Sequence, residues 1–241
     1  MPATTENQLP IVHTTPADLS AVTVTTGGTY YMAGYSNGPG SSTLGAAVLP
    51  GATTLTVASA TSFYQGEVVL LDGGTSSAEL AFITNIAGTT FTVQTFAGAG
   101  LITGHASGAN IVGTSAGFTP QYTGRLYVGV TGNLTSNNTG DTMNAKLVYR
   151  DATAAAGSSA GGTAAGTVIG NVVAVVALTG VLTQGFSIEA FTGASGASGT
   201  SPSGAAALTV GKPYWFDLQV TTTTSAKTVQ PKGVAWTIQE Y

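Results

Sequence analysis

Apolar and polar residues alternate with a period of two along most of this chain, the pattern of strands buried on one face. Val22 and Val24 alternate with Thr23 and Thr25, and Gly27-Gly28 then turns the chain into Thr29-Tyr30-Tyr31-Met32-Ala33. Leu126, Val128 and Val130 share one face, with Arg125 and Tyr127 on the other. Ala145, Leu147 and Tyr149 alternate with Lys146, Val148 and Arg150, and Phe186 and Ile188 with Ser187 and Glu189. Tyr214, Phe216, Leu218 and Val220 face one way, with Trp215, Asp217 and Gln219 opposite. Val234, Trp236 and Ile238 close the chain, with Thr237 and Gln239 outward. Gly, Asn and Ser clusters between these runs supply turns, and no stretch has helical spacing with caps. The pattern predicts an all-β, antiparallel fold.

Three regions depart from this rhythm. Residues 1–20 are polar and hold Pro2, Pro10 and Pro16, so they read as an extended N-terminal arm rather than a strand or helix, either a loose tail or a tether to a partner. Residues 39–114 begin with a run of small residues and continue into strand-like pieces at 54–57, 67–71, 79–83 and 90–93. Asp72-Gly73-Gly74 and Ala87-Gly88 are placed to turn hairpins between them, which predicts a compact β module with its own small core. The Gly/Ala/Ser tracts 151–166 and 192–207 lack large apolar anchors and read as exposed loops. Residues 164–182 are apolar enough to suggest a membrane span, but β-branched content, breaks at Gly170-Asn171 and Gly180, and the lack of flanking Lys or Arg point to two buried strands.

Composition narrows the function. Charged residues make up 7% of the 241 residues, against about 25% in an ordinary domain, and the formal charge is −4. No basic field exists to recruit a phosphate backbone, so nucleic acid is not an expected partner. The absence of cysteine rules out disulfides, zinc–thiolate sites and thiol nucleophiles. The start of the chain has no basic and apolar leader pattern, so the expectation is a protein made in a cytoplasm, with no membrane partner. A neutral, Thr-rich β surface suits packing against neighbouring copies, because few charges must be desolvated.

Candidate chemistry is sparse. His13 lies in the proline-rich arm and His105 in a Gly/Ser stretch, and neither has the context of a triad or a metal cluster. Most of the acids (Glu6, Asp18, Glu67, Asp72, Glu79, Asp141, Asp151, Glu189, Asp217 and Glu240) fall at turns or strand edges, where carboxylates simply solvate. Glu67 and Glu79 are spaced to meet across a hairpin, weak grounds for a glycosidase pair. Asp141 with Asn137 and Asn138 resembles an oxygen cage for calcium, yet no acid recurs at ligand spacing and a plain loop is the preferred reading. Gly27-Gly28, Gly73-Gly74 and Gly161-Gly162 precede no helix and are not phosphate cradles. No catalytic residue, cofactor or metal is therefore expected. Tyr30, Tyr31, Tyr64, Trp215 and Trp236 are the aromatics placed to stack on sugars; Trp236 sits at a core position. Trp215, sharing its face with Asp217 and Gln219, is expected to be exposed or, preferably, at a subunit interface. With Tyr127 and Tyr64 it forms the set of expected interface or glycan contacts.

Two segments carry a resemblance. Phe118-Thr119-Pro120-Gln121-Tyr122-Thr123-Gly124-Arg125-Leu126-Tyr127-Val128 resembles a signature of tailed-bacteriophage virion proteins, and residues 208–218, Leu-Thr-Val-Gly-Lys-Pro-Tyr-Trp-Phe-Asp-Leu, are similar to a strand of the same families. Residues 53–60 and 63–74 resemble a small phage module. The resemblance implies a jelly-roll sandwich, often trimeric, on phage heads, tail fibres or decoration layers. It also implies an insertion, with residues 21–38 as first jelly-roll strand pairing with the C-terminal region, 39–114 as a protruding β module, and 115–241 as the jelly-roll domain. The expected function is non-enzymatic: a late, exterior capsid decoration or cement protein, a homotrimer in the virion adhering to the major capsid protein. The alternative is a head- or tail-fibre module binding host surface glycans.

Overall fold

The computed structural model describes residues 11–13, 18, 21–24, 30–31, 40–114, 116–153, 167–176, 183–193, 207–222 and 227–241. Every regular element among them is a strand. Along the chain these are β1 (Ile11–His13), β2 (Val22–Val24), β3 (Tyr30–Tyr31), β4 (Ser41–Thr43), β5 (Thr54–Thr56), β6 (Val68–Leu71), β7 (Glu79–Ala87), β8 (Thr90–Thr95) and β9 (Gly98–Ala99). They continue as β10 (Asn110–Gly113), β11 (Ala116–Phe118), β12 (Leu126–Ser136), β13 (Thr142–Asp151), β14 (Thr167–Val176), β15 (Thr183–Phe191), β16 (Tyr214–Thr222) and β17 (Lys227–Glu240).

The long alternating strands build two antiparallel sheets. One runs β2-β17-β12-β15, with β1 also on β17; the other runs β3-β16-β13-β14, with β11 also on β16. Those two four-strand orders are the order of a jelly roll. The inward rows meet in one core that includes Val128, Val130, Leu147, Phe216, Leu218 and Trp236, all at most 1% exposed. The all-β, antiparallel jelly-roll sandwich expected from periodicity and resemblance is the fold observed. Gly170-Asn171, expected to break a strand, lies inside β14: the pairing with β13 steps from Ala145↔Val173 to Leu147↔Ile169, so extra residues are absorbed as a bulge. Residues 177–182, and the tracts 154–166 and 194–206, lie outside the described residues.

Ile11–His13 corrects the reading of the arm. This piece pairs with Gln239, Ile238 and Thr237 of β17, and Val22–Val24 pairs farther down the same edge. Asp18, between them, accepts a bond from the Gly233 N–H at 2.9 Å. Proline excludes a segment from the centre of a sheet but is tolerated on an edge strand, which is where this segment lies.

Between β3 and β11 the chain forms the second body. Its sheet runs β4-β10-β6-β7-β8-β5, and a bridge between Leu44 and Val57 brings β5 back to β4, curling the sheet into a small barrel. Val69, Leu71, Ile83, Phe91 and Ile111 fill it. Val68 and Leu70 point the other way and pack with Leu80 and Ala152 on Trp215. The run Val68-Val69-Leu70-Leu71 is buried throughout because it has a core on each face. Gly117 of β11 lies close against this layer, since a Cβ there would sit 3.0 Å from both Val68 Cγ1 and Leu80 Cδ2.

Candidate functional site

A cleft of about 300 Å3 lies where barrel meets sandwich, with Glu79, Phe96 and Thr103 on the barrel side and Gln121, Lys212 and Pro213 on the other. Its barrel wall is held by an imidazole between two carboxylates. Asp72 follows β6 in a turn that puts it at φ 48°, a left-handed conformation Asp tolerates better than most residues. Glu79 opens β7, and His105 sits in the segment between β9 and β10, tied to Val48 by paired backbone bonds of 2.9 and 3.0 Å. His105 Nδ1 lies 2.6 Å from Asp72 Oδ2, and Nε2 lies 2.7 Å from Glu79 Oε1. Both ring nitrogens face carboxylate oxygens, an arrangement the doubly protonated imidazolium satisfies by donating from each. Burial at 3% exposure opposes that charge, but the bonds to Glu79 and Asp72 and their negative charges outweigh it, so the His105 pKa lies above its ordinary value.

Glu79 also receives the Ile102 N–H at 2.8 Å and the Thr103 hydroxyl at 3.0 Å. The cluster thus clamps the 101–105 segment to the β6–β7 hairpin, and its polar atoms are spent on one another. Across the cleft, Lys212 is ion-paired with Asp151, whose pKa stays below normal: partial burial works against this, and the bonds from Lys212 and Thr153 prevail.

The expected Glu67–Glu79 pairing does not occur. Leu71 stands opposite Glu79 and Val68 opposite Phe82, so Glu67 falls at the other end of the hairpin. Glu67 is 1% exposed, and burial drives its pKa up to about 8, with the Tyr64 N–H at 3.2 Å pulling weakly the other way. A Cβ on Gly113 would lie 2.0 Å from Glu67 Oε1, so the carboxyl occupies the space only glycine leaves. A raised carboxyl pKa weakens the fold as pH rises from the unfolded value of 4.5 toward 8, because the unfolded chain releases the proton first. Glu67→Gln is expected to remove this slope, of at most about 1.4 kcal/mol per pH unit. Urea melts between pH 5 and 8 check it; equal slopes in variant and parent would refute the assignment.

The other anticipated contacts scatter. Trp215 is 1% exposed, covered by Val68, Leu70 and Leu80 of the same chain, so its expected role at a subunit or glycan contact is corrected: the barrel buries it. Tyr64 is 38% exposed on the barrel. Tyr127, half-buried on the outer sandwich face, donates its hydroxyl to Glu189 Oε1 at 3.2 Å, and its ring lies 5.3 Å from Phe191. Phe191 in turn stacks edge-on against Tyr241 at 6.0 Å. The backbone of His13 lies in β1, and its side chain is outside the described residues.

Compared with known proteins, the chain matches no family model, no curated sequence and no solved structure.

The His105 cluster was not legible in the sequence, because its partners lie 33 and 26 residues away and no local motif joins them. Glu240 was also passed over as a strand-end acid. It is fully buried, and its carboxylate accepts the N–H groups of Gln121, Tyr122, Thr123 and Gly124 at 2.7, 2.9, 2.5 and 2.9 Å. Burial opposes ionisation there, but these bonds prevail and hold its pKa below normal. Gly124, at φ 67°, closes this loop where a Cβ would lie 1.8 Å from the Leu208 carbonyl oxygen.

Proposed function

We propose that this chain is an exterior structural protein of a phage particle, a decoration or cement protein that works by adhesion rather than catalysis. The observation that carries the reading is the outer face of the β2-β17-β12-β15 sheet. Its outward positions include Thr131, Asn133 and Thr135 of β12, Thr183, Ser187 and Glu189 of β15, and Thr237 and Gln239 of β17. With Glu189, Lys227 and Lys232 as the charged side chains of its outward and edge positions, such a sheet can be covered by a neighbour with modest desolvation cost. Symmetric copies, in a homotrimer, would multiply each weak contact to the major capsid protein. The clamps at His105 and Glu240 support the same reading, since they spend titratable groups on holding loops still.

The test adds purified protein to capsids of the source phage stripped of it. Expected are trimers in solution, uptake in hundreds of copies and slower DNA release on heating. A monomer that leaves the shell unbound, or one that turns over a polysaccharide, defeats the proposal. The row Tyr127–Phe191–Tyr241 beside Glu189 favours one further reading, a fibre module stacking on host glycans. Incorporation in only a few dozen copies, with glycan binding lost in Tyr127→Ala, would select it.

A further inference from the structure

The turn joining β12 to β13 reads Ser136-Asn137-Asn138-Thr139-Gly140-Asp141, a run rich in oxygen donors. Asp141, at its base, is fully buried. One carboxylate oxygen, Oδ2, is 3.4 Å from the Ser136 hydroxyl, and that hydroxyl also takes the Asn138 N–H at 3.2 Å. The other, Oδ1, is buried with no hydrogen-bond partner among the described residues. Among the described residues, which include all six Lys and Arg, no cation is ion-paired with it.

A carboxylate taken out of water without a countercharge costs several kcal/mol. A hard cation at Oδ1 offsets that cost, supplying charge and coordination together. Asn137 is not part of the cage: its Oδ1 accepts the Thr228 N–H at 3.0 Å and moors the turn to β17. Access is short, since Asn137, Thr139 and Gly140 are exposed around the buried acid.

We propose that this turn is a calcium site, with Asp141 Oδ1 as the anionic ligand, the Ser136 hydroxyl beside it, and turn carbonyls and water completing an oxygen shell. A single carboxylate places the affinity in the weak range, with Kd about 10⁻⁴ to 10⁻³ M, suited to an extracellular particle.

The test titrates calcium chloride into EDTA-stripped full-length protein by calorimetry, and follows hydrogen exchange of the 136–141 amides with and without calcium. Expected are saturable binding, slower exchange confined to this turn, loss of both in Asp141→Asn, weakening in Ser136→Ala, and no change in the surface variant Glu189→Gln. Magnesium should bind less well, because it demands a stricter octahedron. If Asp141→Asn does not fold, the parent's exchange pattern and Ser136→Ala decide. A folded parent that takes up no calcium to ~10 mM holds only an ordered water there. That result, binding unaffected by Asp141→Asn, or exchange unchanged at this turn overturns the proposal.

Discussion

Glu240→Ala is expected to lower the unfolding free energy by about 4 kcal/mol, on the order of 1 for each of four backbone N–H groups left without its acceptor. The loss concentrates on one segment, because residues 121–124 have this carboxylate as their common anchor. Hydrogen exchange should therefore accelerate first at these amides and at Leu208, whose N–H bonds to the Gly124 carbonyl at 2.8 Å. Glu240→Gln keeps an acceptor but turns an amide donor toward other donors, and should cost about half as much. Because the folded pKa lies below the unfolded 4.5, this contribution is complete above pH 4.5 and disappears as pH falls through the folded value. Urea melts measure the loss. A variant within about 0.5 kcal/mol of the parent would mean that water replaces the carboxylate without cost.

His105→Ala should cost about 3–5 kcal/mol, since it strands two carboxylates that now share one buried cation. The imidazole is at 0% side-chain exposure against 20% for Asp72 and 7% for Glu79, so solvent cannot readily take its place. The pH dependence runs opposite to that of Glu240. A histidine whose pKa is raised on folding contributes fully below the unfolded 6.5, and the contribution is lost as pH climbs through the folded value. His105→Gln should flatten that alkaline decline while retaining part of the bonding. Because Glu67 weakens the fold from pH 4.5 upward and His105 adds to the loss above 6.5, stability should be greatest at about pH 4.5–5, where Glu240 is ionised, Glu67 protonated and His105 charged. Maximal stability at pH 8 or above would contradict both assignments.

Period-two alternation was enough to foresee strands, and for β12, β15 and β17 it also told the inner face from the outer. Leu126, Val128, Phe186, Ile188, Val234 and Ile238 are all buried, at most 6% exposed. That inference works because pleating alone decides which side chains share a face. It failed at β16, where Trp215, Asp217 and Gln219 form the supposedly open face yet are 1%, 0% and 8% exposed. Trp215 shows why: the cover comes from Val68 and Leu70, nearly 150 residues earlier in the sequence. The non-alternating run Val68-Val69-Leu70-Leu71 was the available sign of a strand packed on both sides, though not of its partner.

The sequence by itself determined the β class, the hairpin turns at Asp72-Gly73-Gly74 and Ala87-Gly88 and the low charge, because propensity, pleat and composition act within a few residues. Tertiary structure alone decided that Asp72, Glu79 and His105 converge, that Glu240 grips the 121–124 loop, and that Asp141 is closed off from water. Each depends on strands distant in sequence being placed within bonding distance. Hydrogen-bond and ionic energies change over tenths of an ångström, a scale that no local pattern encodes.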